Sequence, residues 1–342
     1  MTESIAWPPG TATGIGSMPG TDPLEAARIV VGELPELPHL PELPGRGVGT
    51  DLIGRTAGLL VDLAVEVVPS GYRVAAHPGR DHRRAADLLR TDIDTFEEAL
   101  ERAGARPPAI KVQAAGPWTL AASVELHSGH AVLTDPGALR DFAASLGEGL
   151  RRQVEELTRR LQTRVIVQLD EPSLPTVIAG GIPTPSGYGT VPAVPDSDAA
   201  ELLQGVLETL PVPRLVHCCA PRPPLALLRR AGADALAVDA ALLAGAPRAT
   251  VDALGEAWDS GASVLLGLVP AVAPGVPPRL HELARPALDL VDRLGFPRAL
   301  LGKQCVPTPS CGLAGAEAEW PRRALALARE LGHAFADPPE SW

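Results

Sequence analysis

His217 and Cys219 stand two residues apart in RLVHCC (214–219), and Cys311 follows in TPSCGL (308–313). Side chains two apart on a strand share a face, so His217 and Cys219 can reach one ion while Cys218 points the other way. Cys311 supplies a second thiolate. Imidazole nitrogen with thiolate sulfur suits Zn2+, whose ligand bonds run about 2.0–2.3 Å. A free Cys is often only a small buried hydrophobe, and that plain role is assigned to Cys218 and Cys305. A second group is acidic: Asp170 and Glu171 close the apolar run RVIVQLDEP (164–172). Such a pair can cap a helix, meet a buried Arg or hold a substrate ammonium group. Ser17, ending TATGIGS (11–17), and Asp239, in DALAVDA (234–240), complete the polar set.

These residues have a placement in common. Short apolar runs at 109–115, 164–172, 214–219, 234–240, 263–269 and 299–305 read as strands, with less clear ones at 11–17 and 71–76. Helical patterns fill most of the gaps, at 22–33, near 52–65, and at 81–103, 136–162, 196–209, 222–232, 247–259, 279–294 and 316–331. The Pro-rich LPELPHLPELPGRG reads as loop, because Pro fixes φ and removes a donor. A Gly/Pro-rich segment, 179–195, is a loop able to cover a site. Strands alternating with helices imply parallel pairing through right-handed crossovers. About eight βα units fit, which favours an α/β fold of the (β/α)8 TIM-barrel type, a single domain over 1–342. In such barrels function sits at the C-terminal strand ends, and the polar residues named above, with all four cysteines, fall at those expected ends.

Composition removes several classes. The net charge is −11, opposite to the basic footprint of nucleic-acid binders. No run of 18 apolar residues occurs, so no membrane span is expected. The start, MTESIAWPPGTATG, lacks the regions of a signal peptide. A cytoplasmic protein with reduced thiols is the expectation. No P-loop occurs, and GIGSMPG (14–20) is only loosely like a dinucleotide fingerprint.

TGIGSMPGT (13–21), VQLDEPSL (167–174), VHCC (216–219) and TPSCGL (308–313), in that order, resemble the C-terminal catalytic barrel of cobalamin-independent methionine synthase, in a short single-barrel form. The resemblance implies a zinc site of His217, Cys219 and Cys311. The family's fourth ligand is a carboxylate, usually Glu; Asp239 occupies the matching place. It also implies homocysteine as the thiol substrate, its carboxylate held by Ile15, Gly16 and Ser17 and its ammonium group by the acidic pair, Asp170 with Glu171 beside it.

The implied activity is zinc-dependent S-methyl transfer that yields methionine. The methyl donor is methylfolate or a methyl-corrinoid, the latter possibly on a corrinoid protein. The sequence departs from the family in three ways. Its 342 residues leave no room for the second, N-terminal barrel of the long family form, so none is expected. It has no His from 265 to 278, where the family carries its acid. It shows no acidic partner for the Asp170 carboxylate. No general acid is therefore assigned. Two alternatives share the zinc site: an alkyltransferase of the epoxide-to-coenzyme M type, and a catalytically silent zinc- or thiol-binding barrel.

Overall fold

Nine short runs rich in Val, Leu, Ile and Ala form strands in the computed structural model, which describes residues 7–339. Residues 1–6, part of the stretch read for a signal peptide, and 340–342 lie outside the described residues. The strands are β1 (Ala64–Val68), β2 (Gly71–Ala75), β3 (Ala109–Ala115), β4 (Val124–Glu125), β5 (Arg164–Asp170), β6 (Arg214–His217), β7 (Ala235–Asp239), β8 (Ser263–Val269) and β9 (Cys305–Pro309). Six of them form one all-parallel sheet in the order β3-β5-β6-β7-β8-β9. Each crossover carries helix, as parallel pairing requires.

The sheet alternates with period two. Ile166 joins Leu37, Ala109, Leu215, Ala235, Ala237, Leu265 and Val306 in one apolar cluster. Val165, Val167 and Leu169 of the same strand lie in the larger core with Phe96, Trp118 and Trp258. The first cluster marks the concave face and the second the helix layer. On the concave face of β5, Gln168 and Asp170 therefore follow Ile166.

Two extended segments flank the sheet without forming regular strands. Ser17 bridges Glu42, and His39 bridges Lys111 of β3, both in parallel sense. Lys111 N donates to Pro38 O at 2.9 Å, Leu40 N to Lys111 O at 2.8 Å, and Met18 N to Glu42 O at 2.8 Å. On the other side, Thr13 N donates to Pro307 O of β9 at 3.3 Å. Pro38 and Pro41 supply no N–H, which keeps this part of the chain from a full ladder.

Three expectations need correction. The 71–76 strand does not enter the parallel sheet: β1 and β2 form an antiparallel hairpin, Ala64 opposite Ala75, that pairs with β4. The helix expected near 52–65 is only Leu52–Ala57, and Val65, Val67 and Val68, β-branched, start the hairpin instead. The last parallel strand is Cys305–Pro309, not 299–305. Ala299, Leu300, Leu301, Lys303 and Gln304 are good helix formers and lie in helical turns. Cys305 thus begins β9 and sits at the end opposite the candidate site. The Pro-rich segment, read as loop, is mostly buried from Leu34 to Leu43 and is bonded to the sheet edge. Among the described residues, no helix is long and apolar enough to cross a membrane.

Candidate active site at the carboxyl ends of the strands

A cavity of about 180 Å³ opens at the carboxyl ends of β5, β6 and β9. Ile15, Gly16, Ser17, Asp170, His217, Cys219 and Cys311 all line it, together with Glu42. Larger clefts, of about 550 and 560 Å³, lie among the outer helices and are lined by no Cys or His. The segments around the cavity interlock: Leu313 N donates to Ser17 O at 2.7 Å, and a Cβ on Gly312 would meet Ser17 Oγ at 2.0 Å. Only glycine lets the two loops approach so closely.

The sulfurs of Cys219 and Cys311 are 3.3 Å apart. Cys219 lies two residues past the end of β6 and Cys311 two past the end of β9, so residues 92 apart in sequence meet because both strands end at this rim. The two thiols titrate as a pair: their contact, with help from the nearby His217, lowers Cys311 and, with burial, raises Cys219. Cys218 belongs to the main core, where burial raises its thiol to about 12. It faces the helix layer, as strand alternation requires.

His217 is directly opposite Asp170 in the β5–β6 register. Its Nδ1 lies 2.7 Å from Asp170 Oδ1, and its Nε2 is buried with no hydrogen-bond partner. A carboxylate on one imidazole nitrogen fixes the tautomer and leaves the other nitrogen's lone pair free for a metal. Among the described residues, no three His, Cys, Asp or Glu side chains form a ready-made metal cluster. The donor chemistry nevertheless fits zinc: two thiols in contact and an imidazole nitrogen without a partner. Asp239 is less well placed. It is half-buried and caps the helix Ala240–Leu243, its Oδ1 accepting from Ala241 N at 2.9 Å. It does not line the cavity; burial raises its carboxyl above the ordinary value, with the Ala241 amide and the nearby His217 opposing.

Glu171 is not brought to the cavity. Its fully buried carboxylate accepts from Trp118 N (3.0 Å), Thr119 N (2.8 Å) and Thr119 Oγ1 (2.7 Å), closing the N-terminus of the helix Pro117–Ser123. Backbone donors at a helix start favour an anion. Of the adjacent acids, Asp170 faces the cavity and Glu171 caps a helix, because neighbours on an extended chain point to opposite sides.

Glu42 was missed by sequence reading. It lines the cavity from the Pro-rich segment, with buried Arg55 behind it, Nε to Oε1 3.8 Å. Its signal was an acid repeated, at Glu36 and Glu42, inside a run with Pro at 35, 38, 41 and 44, a spacing that extends the chain. Burial pushes Glu42 up to about 7, Arg55 opposes this and Asp170 adds to it. A carboxyl raised above its unfolded value of 4.5 favours folding less as pH climbs from 4.5 through 7. Glu42→Gln is therefore expected to stabilise the ligand-free protein at pH 8 by about 2–3 kcal/mol, with little change at pH 4.5. Thermal melts across that range test it, and a variant equally destabilised at every pH contradicts it.

Against known proteins, the chain matches the family described as "Cobalamin-independent synthase, Catalytic domain" over residues 10–334. No curated protein matches it. Among solved structures it is similar to a B12-independent methionine synthase from Shewanella sp. W3-18-1, a complex with selenomethionine. That likeness has a TM-score of 0.60 at 14% identity and covers 96% of this chain and 98% of that one. A GH113 beta-mannanase from Alicyclobacillus acidocaldarius also aligns, at 12% identity and a TM-score of 0.46, covering 97% of this chain and 99% of that one. The family match spans nearly the whole chain and contains every candidate residue named here. The chain belongs to the family of cobalamin-independent synthase catalytic domains.

Proposed function

We propose that this chain is a zinc-dependent S-methyltransferase that methylates homocysteine to methionine. In this reading residues 1–342 form one domain, a (β/α)8 barrel whose first two staves are the extended segments 11–18 and 38–42. His217, Cys219 and Cys311 hold zinc. Asp239 would be the fourth and weakest ligand, since its cap bond to Ala241 would compete with the metal. Zinc held there keeps a substrate thiol deprotonated at neutral pH, where a free thiol with a pKa near 8.5 is mostly protonated.

One observation carries this reading: the thiol pair and two carboxylates, Asp170 and Glu42, line the same small cavity, with no Lys or Arg in its lining. The acids suit an ammonium group and the Ile15–Ser17 turn suits a carboxylate, through its backbone and hydroxyl donors. A sulfonated thiol such as coenzyme M needs cationic partners, which this lining lacks.

Asp170→Asn tests the assignment. An amide oxygen can still accept from His217 Nδ1, so zinc content should hold. Losing the charge should weaken homocysteine binding by a few kcal/mol and leave 1-propanethiol, the same thiol without its amino-acid end, nearly unaffected. Equal weakening of both thiols in titrations of the zinc-loaded protein contradicts the assignment.

A further inference from the structure

Below the cavity floor the concave face carries a buried cation. Lys111 is fully buried and, with Lys303, is one of only two lysines in the chain. Its ammonium group donates to Ile15 O at 2.9 Å, Gln168 Oε1 at 2.7 Å and Gln113 Oε1 at 3.4 Å. An ammonium has three donors, and these acceptors use all of them. Burial lowers Lys111 to about 8 while Asp170 and Glu42 hold it up, so it stays largely charged at neutral pH.

The contacts run onward. Because the Gln168 carbonyl faces the ammonium, its NH2 must face the other way, and it donates to Ile15 O at 2.9 Å and to Asp170 Oδ1 at 2.7 Å. Asp170 Oδ1 also meets His217 Nδ1 at 2.7 Å. One oxygen of Asp170 is thus occupied from below and from the side. Among the described residues its other oxygen accepts no hydrogen bond and is left for a ligand in the cavity.

We propose that Lys111 is a positioning residue for the amino-acid end of the substrate: through Gln168 it ties the Ile15 carbonyl and the Asp170 carboxylate into one rigid unit and fixes the distance between the two ends of that subsite. The proposal rests on the reading of Asp170 as the ammonium partner. Lys111 itself lies beneath the floor and does not line the cavity. A neutral residue here would free the Gln168 amide to turn over, presenting its carbonyl to Asp170, so the carboxylate would rotate away from a repelling oxygen.

The test compares Lys111→Met with the wild type, both zinc-loaded, in titrations with homocysteine and 1-propanethiol. The expected result is a homocysteine Kd raised about 10- to 100-fold, the range for a lost hydrogen bond to a charged group, with the 1-propanethiol Kd and zinc content unchanged. In turnover the loss should fall on KM for homocysteine, with kcat changed less than about threefold. If Lys111→Met does not fold, Gln168→Met, which leaves the ammonium its Ile15 and Gln113 acceptors, carries the same test. A wild type that prefers homocysteine while the variants keep that preference overturns this proposal alone. A wild type with no preference overturns the reading of the subsite, and this proposal with it.

Discussion

The wild type is expected to carry about one zinc per chain, and His217→Ala and Cys311→Ser are each expected to leave the purified protein without it. Loss of an outer contact to a metal ligand already costs about 10- to 100-fold in affinity, so loss of a ligand should cost more. Cys218→Ser should keep the metal, because Cys218 is packed in the core between sheet and helices. The arrangement behind this expectation is specific: Cys219 and Cys311 in contact at 3.3 Å, and His217 held by Asp170 through Nδ1 with Nε2 left over. Metal analysis of the three variants decides it. Equal zinc loss in all three would contradict the alternation of β6, and zinc retained by His217→Ala would remove His217 from the site. Asp239→Ala should cost less than either ligand variant, since Asp239 already has a cap partner at 2.9 Å.

The second large effect concerns the methyl donor. A methylfolate carries its methyl group on nitrogen, and that nitrogen needs a proton before the methyl group becomes a good electrophile. A methyl-corrinoid needs none, because cobalt leaves as a stable reduced species. The loop after β8 contains no His: residues 265–278 read LLGLVPAVAPGVPP. Glu171, the acid next in line, is committed to the start of the helix Pro117–Ser123. General acid catalysis is worth about 10²–10⁴-fold. Methylcobalamin, or a corrinoid protein, should therefore outperform methyltetrahydrofolate by at least about 10²-fold at saturating homocysteine. Efficient folate turnover without corrinoid would mean that another acid at the cavity, Glu42 foremost, donates the proton.

Much of this site was legible in the sequence because period-two alternation is local. His217 and Cys219 on one face and Cys218 on the other follow from strand geometry; the same rule separates Asp170 from Glu171, which the sequence reading had kept together at the substrate. Strand ends marked by acids and cysteines, and the motifs of a known family, pointed to the rim where Cys311 joins them. What was not legible is non-local. Nothing in LPELPHLPELPGRG says that it packs beside β3, because its prolines erase the strand signal while leaving the chain extended. Glu42 was hidden with it. Lys111 and Gln168 sit in strands that were read correctly, but their meeting at 2.7 Å depends on the pairing of β3 with β5, which sets them diagonally on one face and is not local in sequence. The β1–β2 hairpin was missed because the helical reading ran on to about residue 65, into the start of β1, and left 66–70 unassigned, so β2 stood without its partner; β9 was set about six residues early because ALLGKQC is apolar enough to look like strand.

The most direct measurement of the central claim is turnover by the zinc-loaded protein with homocysteine or coenzyme M as acceptor and methylcobalamin, methyltetrahydrofolate or an epoxide as donor, all in parallel. Methionine from homocysteine, fastest with methylcobalamin, nothing from coenzyme M with the epoxide, and loss of activity in Cys311→Ser is the predicted result. Alkylated coenzyme M, or zinc bound at full stoichiometry with no product from any pair, would contradict it.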